Sequence, residues 1–332
     1  MTGTWHTRRV AEPNGAAPGP TITPLGDDVY AIDTRMAGYD GIVAGYLIRS
    51  ERPCLVETGT ATSAPEVHRA LDSLGVGPAD LATIVVTHIH LDHAGGVGDL
   101  ARDYPEATVV VHERGARHLV DPTRLVASAR QVFGPDMDRL FGELLPTEAG
   151  RVTAVGQTGV VDLGGGRTLT TYHSPGHAQH HVGLVDSATG DLYVGDAAGI
   201  YIPEVDLVRA STPPPDFDLE TALDSLDHFA ALGPTRLLFS HFGPVATVGD
   251  VLGRAKDELV RWVEYVREAR ASAADLDHAV AMVRARTAER YAALYADPAL
   301  DERYEELSST AANITGIGRY LDRRADDAAA GG

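Results

Sequence analysis

The sequence predicts an α/β domain whose short strands deliver metal-ligating side chains to one sheet edge, continued by an all-helical C-terminal part. Three observations predict it. Residues Thr87-His88-Ile89-His90-Leu91-Asp92-His93 bring three imidazoles and a carboxylate together directly after the apolar run 81–86. Three further β-rich runs end at metal-capable residues: 168–172 leads through Ser174-Pro175-Gly176 to His177, 192–195 leads to Asp196, and 236–240 leads to His241. Beyond Gly249, apolar residues recur at helical spacing. A sheet that aligns these strands carries their ends to one edge. The candidate ligand set is then His88, His90, Asp92, His93, His177, Asp196 and His241, too many for one tetrahedral ion but suited to two ions bridged by a carboxylate and a hydroxide.

The other elements follow in chain order. Residues 1–20, rich in Gly, Pro and Ala, are expected to form a loose arm. Residues 22–56 alternate strand-like runs with turns, and the loop 36–41 carries glycines that would let it lie over a groove. Val67, Ala70, Leu71 and Leu74 share one side of a predicted helix over 64–74. After the histidine motif, Gly95-Gly96-Val97 turns the chain into another helix, and Thr108-Val109-Val110-Val111 reads as a buried strand. His112 at its end, followed by the helix-starting Glu113 and Arg114, reads as a hydrogen-bonded structural histidine.

Residues 115–146 read as a helical insertion with an apolar stripe, on which Phe133 and Phe141 are candidate walls of a substrate pocket. The long loop after Asp196, stiffened by Pro213-Pro214-Pro215, carries two further candidate substrate contacts, Tyr201 and Phe217. Leu219, Ala222, Leu223, Leu226 and Phe229 share a helical face ahead of the strand that presents His241. Three amphipathic helices follow, at about 250–271, 274–295 and 301–323, as a cap or as a homodimerisation element. Residues 323–332 are expected to fray. The predicted organisation is an arm over 1–20, a catalytic domain over 21–248 and a helical extension over 249–332.

Composition narrows the function. The 47 acidic against 28 basic residues give a net charge of −19 with no basic block, a field that repels phosphate backbones and argues against a nucleic-acid partner. The single cysteine, Cys54, has no internal disulfide partner and reads as a small buried hydrophobe in Pro53-Cys54-Leu55-Val56. No apolar run approaches the roughly 18 residues of a membrane span, and no signal-peptide core is evident, so the expectation is a cytoplasmic protein without membrane association. The expected partner is a small-molecule substrate.

An HxHxDH motif, a Pro-Gly-His, a Gly-Asp after a strand and a Ser-His after a strand, in that order, resemble the metallo-β-lactamase superfamily over roughly residues 21–248. The resemblance implies a four-layer αβ/βα sandwich of two mixed sheets with helices outside. It implies that His88, His90 and His177 hold one ion, that Asp92, His93 and His241 hold another, and that Asp196 bridges them. Two divalent ions are expected, zinc by default, with iron or manganese also compatible with a cysteine-free ligand set. A hydroxide between the ions would attack an ester, thioester or lactone, with Asp92 and Asp196 orienting it and Asp92 passing a proton to the leaving group.

The chain departs from the family pattern in several places. Glu57-Thr58-Gly59 stands where the family usually has Asp-Thr-Gly, so Glu57 is a candidate second partner of a ligand histidine. Asp196 stands where the best-known zinc β-lactamases carry cysteine, which argues against β-lactam hydrolysis. His90 stands where the oxygen-reducing diiron branch has glutamate. Gly199 stands at the place of a lactonase tyrosine, with Tyr201 two residues on. His181 matches a supporting histidine of many relatives; His180 does not. Arg254, Lys256, Arg261, Arg267 and Arg270 interleave with acids in helical i,i+4 pairing, so a neutral, partly hydrophobic substrate is expected over a glutathione thioester. A mononuclear iron persulfide dioxygenase and a low-turnover binding or regulatory protein are the alternatives.

Overall fold

A computed structural model describes residues 19–272 and 275–330, so the arm expected over 1–20 lies almost wholly outside the described residues. The described chain forms two compact units. Among the described residues, one comprises 19–173 with 180–195 and 234–246, and the other comprises 174–179, 196–233, 247–272 and 275–330.

The first unit is built from two sheets. β1 (Ile22–Gly26), β2 (Val29–Asp33), β3 (Ala44–Ile48), β4 (Cys54–Val56), β5 (Thr83–Val85), β6 (Thr108–His112) and β7 (Val152–Val155) pair in that order. The first four strands are antiparallel, and β4 to β7 are parallel. Parallel neighbours need crossovers, and the helices Ala64–Ser73, Val97–Asp103 and Glu113–Val120 lie in those connections. The helix Ala64–Ser73 buries Val67, Ala70 and Leu71, the side the sequence predicts.

The second sheet contains β8 (Thr158–Asp162), β9 (Thr168–His173), β10 (Val182–Asp186) and β11 (Asp191–Gly195). After a separate hairpin, β12 (Ile200–Ile202) with β13 (Leu207–Arg209), the chain returns to it as β14 (Arg236–Phe239) and β15 (Gly243–Val245). The spatial order is β15-β14-β11-β10-β9-β8, with β11 and β14 parallel.

The two sheets share one core. Ala31, Tyr46, Cys54, Val56, Val85 and Val110 from the first pack with Val161, Leu169, Leu184, Tyr193 and Leu238 from the second. Tyr46 meets Tyr193 edge-on at 5.4 Å, and its hydroxyl donates to the Phe239 carbonyl at 2.5 Å, which satisfies a polar tip that burial would otherwise penalise. Cys54 is fully buried here, and burial pushes its thiol above its ordinary value, as an inert core position requires.

The insertion predicted over 115–146 is broken. Its helices are Glu113–Val120, Thr123–Phe133 and Met137–Leu140, and the middle one buries none of its residues, so Val132 is exposed rather than part of a core stripe.

His112 has the structural role expected of it. It caps the helix Glu113–Val120 by accepting the Arg114 N–H at 3.3 Å, and its ring stacks on His173 at 4.1 Å.

In the second unit, the helix Val248–Ala271 buries Val251, Leu252, Leu259, Trp262, Val263 and Val266 along one face. Trp262 donates to the Tyr291 hydroxyl at 3.0 Å, Tyr291 donates to Glu258 at 2.7 Å, and Arg290 pairs with Glu258 at 2.8 Å, so this buried carboxylate and its neighbours are paired. The helix predicted over 301–323 is two, Pro298–Leu307 and Thr310–Ala330, because Asp297 caps the first and Ser308-Ser309 break the chain before Thr310. The tail expected to fray stays helical to Ala330. Among the described residues, no helix is long and apolar enough to cross a membrane.

Burial, with the nearby His173 and Arg114, pushes His112 down to about 4. The unfolded chain takes up a proton on this ring near pH 6.5 and the folded chain does not, so this contribution to stability is complete above about pH 6.5 and is lost as pH falls toward 4. An NMR titration is expected to find the His112 ring neutral down to about pH 4; protonation near 6.5 would refute the packing described.

Candidate metal centre

In the first unit the site begins where β4 and β5 end. Their parallel register sets Val56 beside Val85, and the Glu57 N–H donates to the Val85 carbonyl at 2.9 Å. Glu57 then turns through a left-handed backbone conformation with φ of 65° and is fully buried. Its carboxylate accepts the Thr87 hydroxyl at 2.5 Å and the Ser240 hydroxyl at 3.1 Å, and lies 3.4 Å from His93 Nδ1. The longer side chain therefore reaches the imidazole that an aspartate usually serves.

His241 is held in the same manner. Its Nδ1 lies 2.8 Å from the Ile42 carbonyl, which can only accept, so Nδ1 carries the proton and Nε2 is left with a lone pair. That Nε2 lies 3.3 Å from Asp92 Oδ2, and His93 Nε2 lies 3.4 Å from the same oxygen. Asp92, His93 and His241 thus each offer one ligand atom within 4.8 Å of the others. Removal from water pushes the Asp92 carboxyl up, but His93 and His241 in their protonated forms prevail, by charge and hydrogen bonding, and hold it well below the usual carboxylate range.

His88 and His90 complete this part of the motif. His88 Nδ1 lies 3.0 Å from the Thr87 hydroxyl, its Nε2 lies 2.9 Å from His90 Nδ1, and its ring centre is 4.0 Å from that of His93. His181 is fully buried with its ring 5.2 Å from His88, and His180 accepts the Ile89 N–H at 3.4 Å. Gly195 makes room for this crowding: at φ of 52°, a Cβ there would lie 2.4 Å from His181 Nε2 and 2.6 Å from the Thr87 hydroxyl oxygen.

In the second unit His177 and Asp196 form a pair. His177 Nδ1 donates to the Ser211 carbonyl at 3.0 Å, which turns its Nε2 to within 3.6 Å of Asp196 Oδ2. The Ser211 hydroxyl donates to the same Asp196 oxygen at 3.2 Å. Gly176 sits at φ of 129°, where a Cβ would strike the Ala222 backbone at 2.4 Å, so the Pro-Gly-His turn depends on glycine.

The candidate substrate contacts have other partners. Tyr201 donates to Asp206 at 3.1 Å in the β12–β13 hairpin. Phe217 is fully buried with its ring 5.7 Å from Tyr320, a packing contact. Phe133 is half-buried against the buried Phe141 at 4.6 Å. Ser211, Ser240 and the Ile42 carbonyl, which orient the ligands, escaped the sequence reading, since hydroxyls and main-chain carbonyls carry no motif. Ser240 alone had a signal, its place beside His241.

The donors are imidazole nitrogens and carboxylate oxygens, with one nitrogen each of His88, His93, His177 and His241 facing an oxygen of the fold, which suits a borderline divalent cation.

The sequence pattern of the metallo-beta-lactamase superfamily matches residues 38–241. The chain is similar to the metallo-beta-lactamase fold-containing protein ST1585 of Sulfurisphaera tokodaii, 34% identical over 168 residues, 49% of this chain and 61% of that protein. It is similar to the acyl-coenzyme A thioesterase MBLAC2 of Gallus gallus, 30% identical over 181 residues, 52% of this chain and 64% of that protein. It is also similar to the N-acyl homoserine lactonase AttM of Azorhizobium caulinodans, 32% identical over 111 residues, 33% of this chain and 37% of that protein. The chain therefore spans less than two thirds of the length of each of these relatives. Among solved structures, ST1585 superimposes with a TM-score of 0.59 at 25% identity, covering 72% of this chain and 87% of that one. The subclass B3 metallo-beta-lactamase MEM-A1 from a soil metagenome superimposes at 0.53 and 22% identity, covering 73% and 96%, a likeness of fold. With the family's pattern matched across most of the first unit and its histidine and aspartate clusters at the strand ends, the chain belongs to the metallo-beta-lactamase superfamily.

Proposed function

We propose that this protein is a dinuclear metal-dependent hydrolase that cleaves an ester, thioester or lactone in a neutral, partly hydrophobic small molecule. The observation that carries the reading is the convergence of Asp92, His93 and His241, with Glu57 behind His93 and the Ile42 carbonyl behind His241. In this reading Asp92, His93 and His241 would hold one divalent ion, His88, His90 and His177 would hold the second, and Asp196 would serve both. Zinc is the default occupant, with iron or manganese as alternatives. Such ions supply Lewis acidity and lower the pKa of water to near neutrality.

The chain's own groups do the rest. Glu57 keeps the His93 ring oriented and adds negative charge behind it, which raises the ligand's basicity. The Ile42 and Ser211 carbonyls select the tautomers of His241 and His177. In this reading Asp92 would relay a proton to the departing oxygen or sulfur.

Charge pairing supports a neutral substrate. Arg254 pairs with Asp206 at 3.0 Å and Asp250 at 3.4 Å, Lys256 pairs with Asp227, Arg261 pairs with Asp257 at 3.9 Å, and Arg270 pairs with Asp322. These bases are neutralised by partners of their own. With a net charge of −19, capture of a multiply anionic substrate is disfavoured. The lactonase and thioesterase relatives support the bond class.

Elemental analysis of protein purified without added metal is expected to give close to two ions per chain, falling in His241→Ala; one ion, unchanged in that variant, would refute the dinuclear assignment. Asp196→Ala is expected to lose metal and to lower turnover by at least about a hundredfold, because activation of water by metal is lost; near-normal steady-state rates would show that Asp196 does not bridge. In an assay of neutral esters and lactones against S-lactoylglutathione, the neutral compounds are expected to give the higher kcat/KM, and preference for the glutathione thioester would overturn the substrate class.

A further inference from the structure

We infer that Asn313, in the first turn of the C-terminal helix Thr310–Ala330, is a positioning residue for the proposed metal ligands His177 and Asp196, acting through Ser211 and Thr212. The inference rests on the ligand roles proposed above and assigns the C-terminal helices a part in the metal chemistry.

Ser211 is the hinge of the argument. Its carbonyl accepts from His177 Nδ1 at 3.0 Å and its hydroxyl donates to Asp196 Oδ2 at 3.2 Å, so one residue aims two ligands, one through the main chain and one through the side chain. Only a fixed peptide can aim both. The next residue is fixed: Thr212, fully buried, donates its N–H to Asn313 Oδ1 at 2.6 Å and its hydroxyl to the same oxygen at 3.0 Å.

The Asn313 amide is itself immobilised. The side chain is buried, and its Nδ2 donates to the Ser308 hydroxyl at 3.2 Å and the Ser309 carbonyl at 3.3 Å. Because Thr212 N–H can only donate, the carbonyl end of the amide must face it. Gly316, one turn on, brings the helix against the loop backbone: a Cβ there would lie 1.9 Å from the Thr212 carbonyl oxygen.

The same loop is anchored on either side. Arg209, fully buried, pairs with Glu305 at 2.6 Å and donates to the Thr310 hydroxyl at 3.2 Å, while Arg323 donates to the Pro215 carbonyl at 2.9 Å and the Phe217 carbonyl at 2.5 Å. The chain from the end of β13 is thus held by the helical part at 209 and, in the loop that follows, at 212, 215 and 217, and Ser211 lies within that hold. Such outer partners tune ligands when they restrict ring and carboxylate orientation.

The test uses the full chain loaded with cobalt(II) and a chelator competition. Asn313→Ala, Thr212→Val, Ser211→Ala and the double variant Asn313→Ala/Thr212→Val are compared with Thr315→Ala, an exposed neighbour on the same helix. Ser211→Ala is expected to weaken affinity by about tenfold, and Asn313→Ala by roughly three- to tenfold, each with a changed cobalt d–d spectrum. The double variant is expected to be no worse than Asn313→Ala, since Thr212→Val deletes one of the two contacts that Asn313→Ala already removes. Thr315→Ala should match the unaltered chain. Thr212→Val, which deletes one hydroxyl, carries the test if Asn313→Ala does not fold. Unchanged affinity and spectrum in folded Asn313→Ala or Thr212→Val, beside an unaltered chain that binds metal, overturn this inference alone. An unaltered chain that binds no metal overturns it together with the hydrolase reading.

Discussion

The buried Glu57 carboxylate is the constraint on which the first unit's site depends. A carboxylate withdrawn from water is costly unless polar partners compensate it. Here the compensation comes from three places in the chain: Thr87 after β5, Ser240 after β14, and the His93 ring. Strand ends from both sheets are thereby drawn onto one group. The shared hydrophobic core packs the sheets, while this carboxylate sets which residues meet at their edge.

The tautomers of the ligand histidines follow from similar logic. A main-chain carbonyl cannot donate, so a ring nitrogen beside one must carry the proton, and the opposite nitrogen keeps its lone pair. Ile42 does this for His241 and Ser211 does it for His177. The chain therefore spends backbone acceptors, which strand and loop geometry locate well, on orienting side chains that strand ends alone would leave free to rotate. Glycine serves the same end by absence of bulk at Gly195 and Gly176.

Surface charge and site charge play separate roles. Aspartates line the sheet ends in bidentate pairs, Arg167 with Asp186 and Arg236 with Asp191, where nearly complete burial of the carboxylates makes the partner indispensable. In the helical part Arg254 pairs with Asp206 of the β12–β13 hairpin, Arg261 with Asp257 on its own helix, and Arg270 with Asp322 on the C-terminal helix.

The sequence by itself determined the fold family, the apolar strands and the spacing of imidazoles and carboxylates, because these follow from local periodicity and from a motif whose residues are neighbours in the chain. It also marked Glu57 as a group able to reach an imidazole and His112 as structural. It misread the middle of the insertion, where Leu125, Val132 and Phe133 are not buried although Met137, Leu140, Phe141 and Leu144 are, and it fused Pro298–Leu307 with Thr310–Ala330, because apolar spacing continues across Ser308-Ser309 while a local capping change ends the helix. Only the tertiary structure decided what lies behind each ligand. Ser240 on Glu57, Ile42 on His241, and Ser211 with Asn313 behind His177 and Asp196 are contacts between residues up to 199 positions apart, made through hydroxyls, amides and main-chain carbonyls. Such groups occur throughout any chain, and only the register of strands and the approach of a helix select the few that meet a ligand.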